Sequence, residues 1–174
     1  MRVLVSDTSV LVDLERGNLL LRAFALGGTF AVPDVLFERE LRPYGGEKLL
    51  ELGLRVETLD GAGVELAQVY RRKQRALTVA DSFALALSKK NDWILLSGDG
   101  ALRKLAGEEQ VECHGILWVL DRLEAEAAAT CIELQDGLQR ISQHPKCRLP
   151  KHEVENRLER YAVIIAAGGP GESS

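Results

Sequence analysis

The sequence is poor in the features that define several large protein classes. It has three cysteines, Cys113, Cys131 and Cys147, an odd and widely spaced set that suits reduced thiols rather than a disulfide framework. No apolar run approaches the roughly 20 residues that a bilayer-spanning helix needs. Met1 and Arg2 lead straight into VLV with no cleavage pattern, so the expectation is a cytoplasmic protein with no membrane partner. Positive charge is not in excess: 22 Lys and Arg stand against 26 Asp and Glu, a formal net charge of −4. That balance argues against holding nucleic acid by bulk electrostatics, although carboxylates gathered around cations would lower the net charge and still attract phosphate locally. There is no GxxxxGK loop and no GxGxxG, so nucleotide-driven and dinucleotide chemistry lack their usual phosphate cradle. Ser6, Ser9 and Ser97 lie in no GxSxG elbow, which sets aside a Ser-His-Asp hydrolase.

What is present is a chain of 174 residues, 46 % apolar, enough for one ordinary domain with a substantial core. Arg2 to Val5 reads as a buried strand, followed by a helix from Val10 to Arg16 that continues or restarts through Leu19 to Leu26. Thr29 to Val32 is a second strand, and Asp34 is placed to cap a helix running to Arg42. A short helix (Lys48 to Leu54) and a strand (Arg55 to Leu59) precede two helices, Gly63 to Arg75 and Ala80 to Lys90. WILLSGD, Trp93 to Asp99, is the clearest buried strand; a helix to Ala106 and a last strand at Val111 to Cys113 follow. Continuous apolar strands alternating with helices predict a parallel sheet covered on both faces, a three-layer α/β/α sandwich. Residues 1–115 are expected to form this core, 116–165 a helical extension packed on the same domain, and 166–174 a flexible tail.

In such a sheet, acids just after strands fall in the ligand crevice. Asp7 follows the first strand and Asp99 follows WILLSG. On the helix after Asp34, a step of 100° per residue puts Glu40 on the face of Val35, Leu36, Phe37 and Leu41, with Glu38 roughly opposite; a shift of the helix boundary would exchange the two. Asp81 opens the Ala80 helix three residues after Thr78, a spacing that also makes a structural capping box. Four acids at one sheet edge would repel one another without compensating cations, and an all-oxygen set suits Mg²⁺ or Mn²⁺.

Four segments, VLVSDTSVLVDL, VPDVLFEREL, LTVADSFALALSKK and WILLSGDGALRKLA, in this order and spacing, resemble the signature regions of PIN domain nucleases, including the VapC-like toxins of bacterial toxin-antitoxin pairs. The resemblance spans about residues 1–115. It implies an α/β/α fold and Mg²⁺- or Mn²⁺-dependent hydrolysis of single-stranded RNA, with Asp7, Glu40 (or Glu38), Asp81 and Asp99 as metal-holding catalytic acids and the hydroxyls of Thr8 and Ser97 beside the metal. A cognate antitoxin and a homodimer are further implications. The alternative is a PIN-like nucleic-acid-binding or regulatory module with weak chemistry.

Other signals carry less. Arg71, Arg72, Lys73 and Arg75, in RRKQR, can steer an RNA backbone, although cations at a helix C-terminus also suit the macrodipole. Cys113, His114, His144, Cys147 and His152 are zinc-ligand types in no finger or ribbon spacing. Trp93 and Trp118 are expected in the core.

Overall fold

In a computed structural model, which describes residues 2–169, five parallel strands form one sheet in the order β3-β2-β1-β4-β5. The strands are β1 (Val3–Ser6), β2 (Thr29–Pro33), β3 (Arg55–Glu57), β4 (Ile94–Leu96) and β5 (Cys113–His114). β1 lies at the centre, with Leu4 opposite Phe30 on one side and Ile94 on the other. Every residue of β4 is buried, as are the last three of β1. Such strands need apolar residues facing both ways, which is why VLV and ILL are legible as strands. The fold is the expected α/β/α sandwich with an all-parallel sheet.

The helices are α1 (Thr8–Arg16), α2 (Leu20–Phe24), α3 (Asp34–Leu36), α4 (Glu47–Glu51), α5 (Gly61–Lys73), α6 (Val79–Asn91), α7 (Gly100–Glu108), α8 (Ile116–Ala125), α9 (Cys131–Gln143) and α10 (Lys151–Ala166). Contacts divide the chain into two compact units, one made of residues 1–11 and 27–116, the other of 12–26 and 117–174. In the first, α6 packs on β1, β2 and β4 and is flanked by α3, α5 and α7. Its small buried residues Ala80, Ala84 and Ala86 let its backbone lie close to its neighbours, and Leu85, Leu95, Leu102 and Tyr70 fill the core around them. In the second unit, α9 packs on α10. Gly137 of α9 meets the Gly17 carbonyl so closely that an added Cβ would stand 2.8 Å from that oxygen. Arg157 of α10, mostly buried, bridges Asp121 of α8 and Glu153.

Several local expectations change. Asp34 is the first helical residue rather than the cap; the cap position is Pro33, and Asp34 accepts the Val35 N–H at 2.7 Å. The single helix expected to Arg42 is instead three pieces, α3, a π-helical turn (Phe37–Leu41) and a 3₁₀ turn (Arg42–Tyr44). Pro43 explains the break, because it cannot donate to the Arg39 carbonyl and its ring crowds that oxygen. The Arg42 N–H accordingly reaches back five residues to Phe37. The first helix of the expected extension, α8, stops at Ala125, and Ala127 turns the chain with φ at 51°. Trp93 and Trp118 are half-buried rather than enclosed, and the Arg122 guanidinium lies 5.3 Å from the Trp118 ring centre. α10 runs to Ala166; the tail expected beyond it lies, from residue 170, outside the described residues.

Candidate active site

The sheet order reverses between β1 and β4, the neighbours from which the chain proceeds in opposite directions, and ligands of open parallel sheets gather outside the carboxyl ends of the strands at such a point. Asp7 leaves β1 there. Its own N–H donates to the Leu96 carbonyl at 2.9 Å, which pins it beside the end of β4. Only 4 % exposed, its carboxylate accepts three hydrogen bonds. The Ser9 hydroxyl (2.7 Å) and the Val10 N–H (3.0 Å) donate to Oδ1, and the Ser97 hydroxyl donates to Oδ2. The Val10 contact makes Asp7 a cap for α1, and the Ser97 contact crosses from β1 to β4. Burial holds the Asp7 carboxyl above its ordinary range, the three hydrogen bonds oppose that, and the nearby Asp81 carboxylate adds a little in the same direction as burial.

Two of the remaining acids, Asp99 and Asp81, approach this edge from helix starts, and Glu40 from a π-helical turn. Asp99 caps α7 by accepting the Leu102 N–H at 2.8 Å, and its own N–H donates to the Ser97 hydroxyl at 3.0 Å, so Ser97 links Asp7 to Asp99. Asp81 stands at the third position of α6 in the expected capping box. Its Oδ2 accepts the Thr78 N–H at 3.0 Å while the Thr78 hydroxyl accepts the Asp81 N–H at 3.1 Å. Glu40 lies on the π-helical turn, half-buried, and accepts the Thr8 hydroxyl through Oε2. Glu38 is exposed and pairs with Arg42 at 2.9 Å. Thr8 and Ser97 thus both touch acids of this edge. Ser9 does too, and the sequence reading missed it; the signal was the Asp-x-Ser spacing at a helix start.

Among the described residues, no three Asp, Glu, His or Cys side chains come close enough together to hold one ion. The acids ring the edge rather than closing a cage. Their donor chemistry nonetheless fits a hard divalent cation. None of the four forms an ion pair with Lys or Arg among the described residues, and Glu40, Asp81 and Asp99 each use one oxygen for a hydrogen bond and leave the other open. Mg²⁺ characteristically keeps several waters and takes only one or two protein carboxylates directly, so an open ring suffices. Cys113 also approaches this edge; burial pushes its thiol up to about 11, so it does not offer a thiolate at neutral pH.

Fold and site together define an α/β/α protein whose chemistry-bearing groups are carboxylates at the switch point of a parallel sheet. A family model described as a PIN domain matches residues 3–162, and the chain belongs to that family. PIN domains are as a class nucleases, hence hydrolases, that typically work with divalent metal ions. The match runs on past Gly115 through α8 and α9 and into α10. No curated protein matches the chain. No helix among the described residues is long and apolar enough to cross a membrane.

Proposed function

We propose that the protein is a Mg²⁺- or Mn²⁺-dependent endoribonuclease that cleaves single-stranded RNA, and that it is the toxin of a toxin-antitoxin pair acting in the cytoplasm. The observation that carries the reading is the unpaired set of carboxylates around Asp7 at the switch point, in a chain of the PIN-domain family. Asp7, Asp81, Asp99 and Glu40 are the residues that would hold the metal. When bound, a divalent cation supplies positive charge against a scissile phosphate and acidifies water.

The chain's own groups supply the rest. Ser97, Ser9 and the Val10 N–H fix the plane of the Asp7 carboxylate, so that it is oriented before any ligand arrives. Thr8 does the same for Glu40, and the α7 N-terminus for Asp99. The open oxygens of Glu40, Asp81 and Asp99 are the positions from which a water can be oriented and its proton accepted. Hydrolysis by such a water leaves a 5′-phosphate and a 3′-hydroxyl. A small antitoxin protein would act by covering this edge, and a homodimer would extend the groove that receives RNA.

A second reading, a binding module with weak chemistry, is favoured by two observations: Asp81 and Asp99 already serve in helix capping, and no three acids converge among the described residues. Cleavage of single-stranded RNA by purified protein in Mg²⁺, Mn²⁺ and EDTA, with Asp7→Asn in parallel, separates the two. Metal-dependent cleavage lost in Asp7→Asn supports the nuclease. RNA that is bound but left intact in every condition supports the module.

A further inference from the structure

The end of α5 and the turn that follows it carry a run of positive charge, Arg71, Arg72, Lys73 and Arg75. Gln68, Arg71, Arg72 and Arg75 line a single open cavity of about 440 Å³. Gln68, Arg71 and Arg72 are spaced by three and four residues and share one face of α5, whereas Arg75 follows Gln74, whose extended backbone has left the helix, and lines the same cavity from the turn. Their neighbour Lys73 leaves that face, pairing with Glu109, and Lys90 pairs with Asp60. None of Arg71, Arg72 and Arg75 forms an ion pair among the described residues, although the chain carries more acids than bases. The helix macrodipole accounts for cations in a last turn, Lys73 included. It does not account for Arg75 beyond the helix end, or for a glutamine amide facing the same space.

The cavity also has a defined relation to the acids. α5 ends at Lys73, residues 74–77 form a short turn closed by the Leu77 N–H on the Gln74 carbonyl (3.2 Å), and Thr78 caps α6 with Asp81 at its third position. The end of α5 and the start of α6 are therefore adjacent. Guanidiniums stay charged at every accessible pH and present a donor fork that matches phosphate oxygens two at a time. A glutamine amide adds neutral donors and an acceptor. No aromatic side chain lines the cavity, so it offers nothing on which a base can stack.

We infer that this cavity is a backbone subsite: Gln68, Arg71, Arg72 and Arg75 bind phosphates of the single RNA strand whose scissile bond lies at the Asp7 edge. The inference rests on the nuclease reading and adds to it where the strand is held and how. The subsite reads charge and spacing and not base identity, so it contributes affinity without sequence preference.

The test is fluorescence anisotropy of a short single-stranded RNA in EDTA, which prevents cleavage, across a range of salt concentrations. For single strands the slope of log affinity against log salt is about 0.7 per neutralised phosphate. Arg71→Gln/Arg72→Gln/Arg75→Gln should flatten the slope by about 2, and Lys73→Gln should leave it in place. Should the triple variant fail to fold, Arg72→Gln alone should flatten it by about 0.7. An unchanged slope in a folded variant overturns the inference, as does competition by a mononucleotide or by polyglutamate as effective as that by the strand. Those last results would reassign the cavity to a small anion or to an acidic protein. Wild type that neither binds nor cleaves RNA defeats the nuclease reading itself; wild type that cleaves RNA while the arginine variants keep the full slope defeats only the subsite.

Discussion

Replacing Asp7 by alanine and by asparagine should separate its structural role from its charge. Alanine removes the acceptor for the Val10 N–H, a cap worth about 1 kcal/mol. It also strips the buried Ser97 hydroxyl and the Ser9 hydroxyl of their acceptor, at about 1–3 kcal/mol, less because Ser9 reaches solvent. The expected loss is about 2–4 kcal/mol, and since each kcal/mol lowers the melting temperature of a chain this size by about 2–4 °C, Asp7→Ala should melt roughly 4–16 °C below wild type. Asparagine caps a helix as well as aspartate does and carries no charge to bury, so in EDTA Asp7→Asn should match or exceed wild type. The difference should depend on pH. Unfolded, Asp7 ionises near its ordinary value of 3.8, while folded it ionises only at higher pH, because burial favours the neutral acid. The native state therefore holds the extra proton across that window, and wild type should lose stability relative to Asp7→Asn as pH rises through it, with the gap constant above. Thermal melting of the three proteins in EDTA between pH 4 and 8, on the order of one unit per step, is the assay. Equal melting of the alanine and asparagine variants, or a gap independent of pH, would refute this account of Asp7.

Three further outcomes follow from the same geometry. Glu40→Gln should lower RNA cleavage at least about 10–100-fold, whereas Glu38→Gln should cost only an exposed pair with Arg42, about 0–1 kcal/mol, and leave cleavage intact; the reverse result in a cleavage assay would move the site to Glu38. Asp99→Asn keeps a side-chain acceptor for the Leu102 N–H, so its melting temperature should stay within about 2–4 °C of wild type while cleavage falls by orders of magnitude. Gly137→Ala would bring a methyl to 2.8 Å from the Gly17 carbonyl oxygen and 2.6 Å from Leu19 Cδ1. Overpacking of about 1–3 kcal/mol against a helix-propensity gain of about 1 kcal/mol should give a net loss of up to about 2 kcal/mol, read as a lower urea midpoint; a rise would show that the helix has room to move.

The parts legible from sequence are those in which local pattern and tertiary role coincide. VLV and ILL must be apolar all round because β1 and β4 are covered on both faces, so their continuous runs reveal strands, and the acids that follow them lie at the carboxyl edge by connectivity alone. Thr78 and Asp81 announce a capping box by spacing. The turn through Glu40 is different: a regular 100° step describes an α-helix, and the chain there takes a wider π turn ahead of Pro43, so its facing towards Thr8 had to be seen. The grouping of residues 12–26 with 117–174 depends on close approaches such as Gly17 on Gly137, which a single sequence does not announce. Gln68 was passed over because an isolated glutamine carries no signal until Arg71, Arg72 and Arg75 are seen to line the same cavity.

Asp7, Asp81 and Asp99 all lie in or just before the first turns of helices, where backbone N–H groups that have no partner within the helix donate to them and the positive pole of the peptide dipoles faces them. The amide ends of α1, α6 and α7 act as standing counter-charges that belong to the scaffold and never dissociate. On the metal-dependent reading proposed above, loading the site with a cation would therefore be a reversible binding event on a folded protein rather than a step in folding. A chelator should silence such a protein without unmaking it, and readdition of the ion should restore it without a refolding delay.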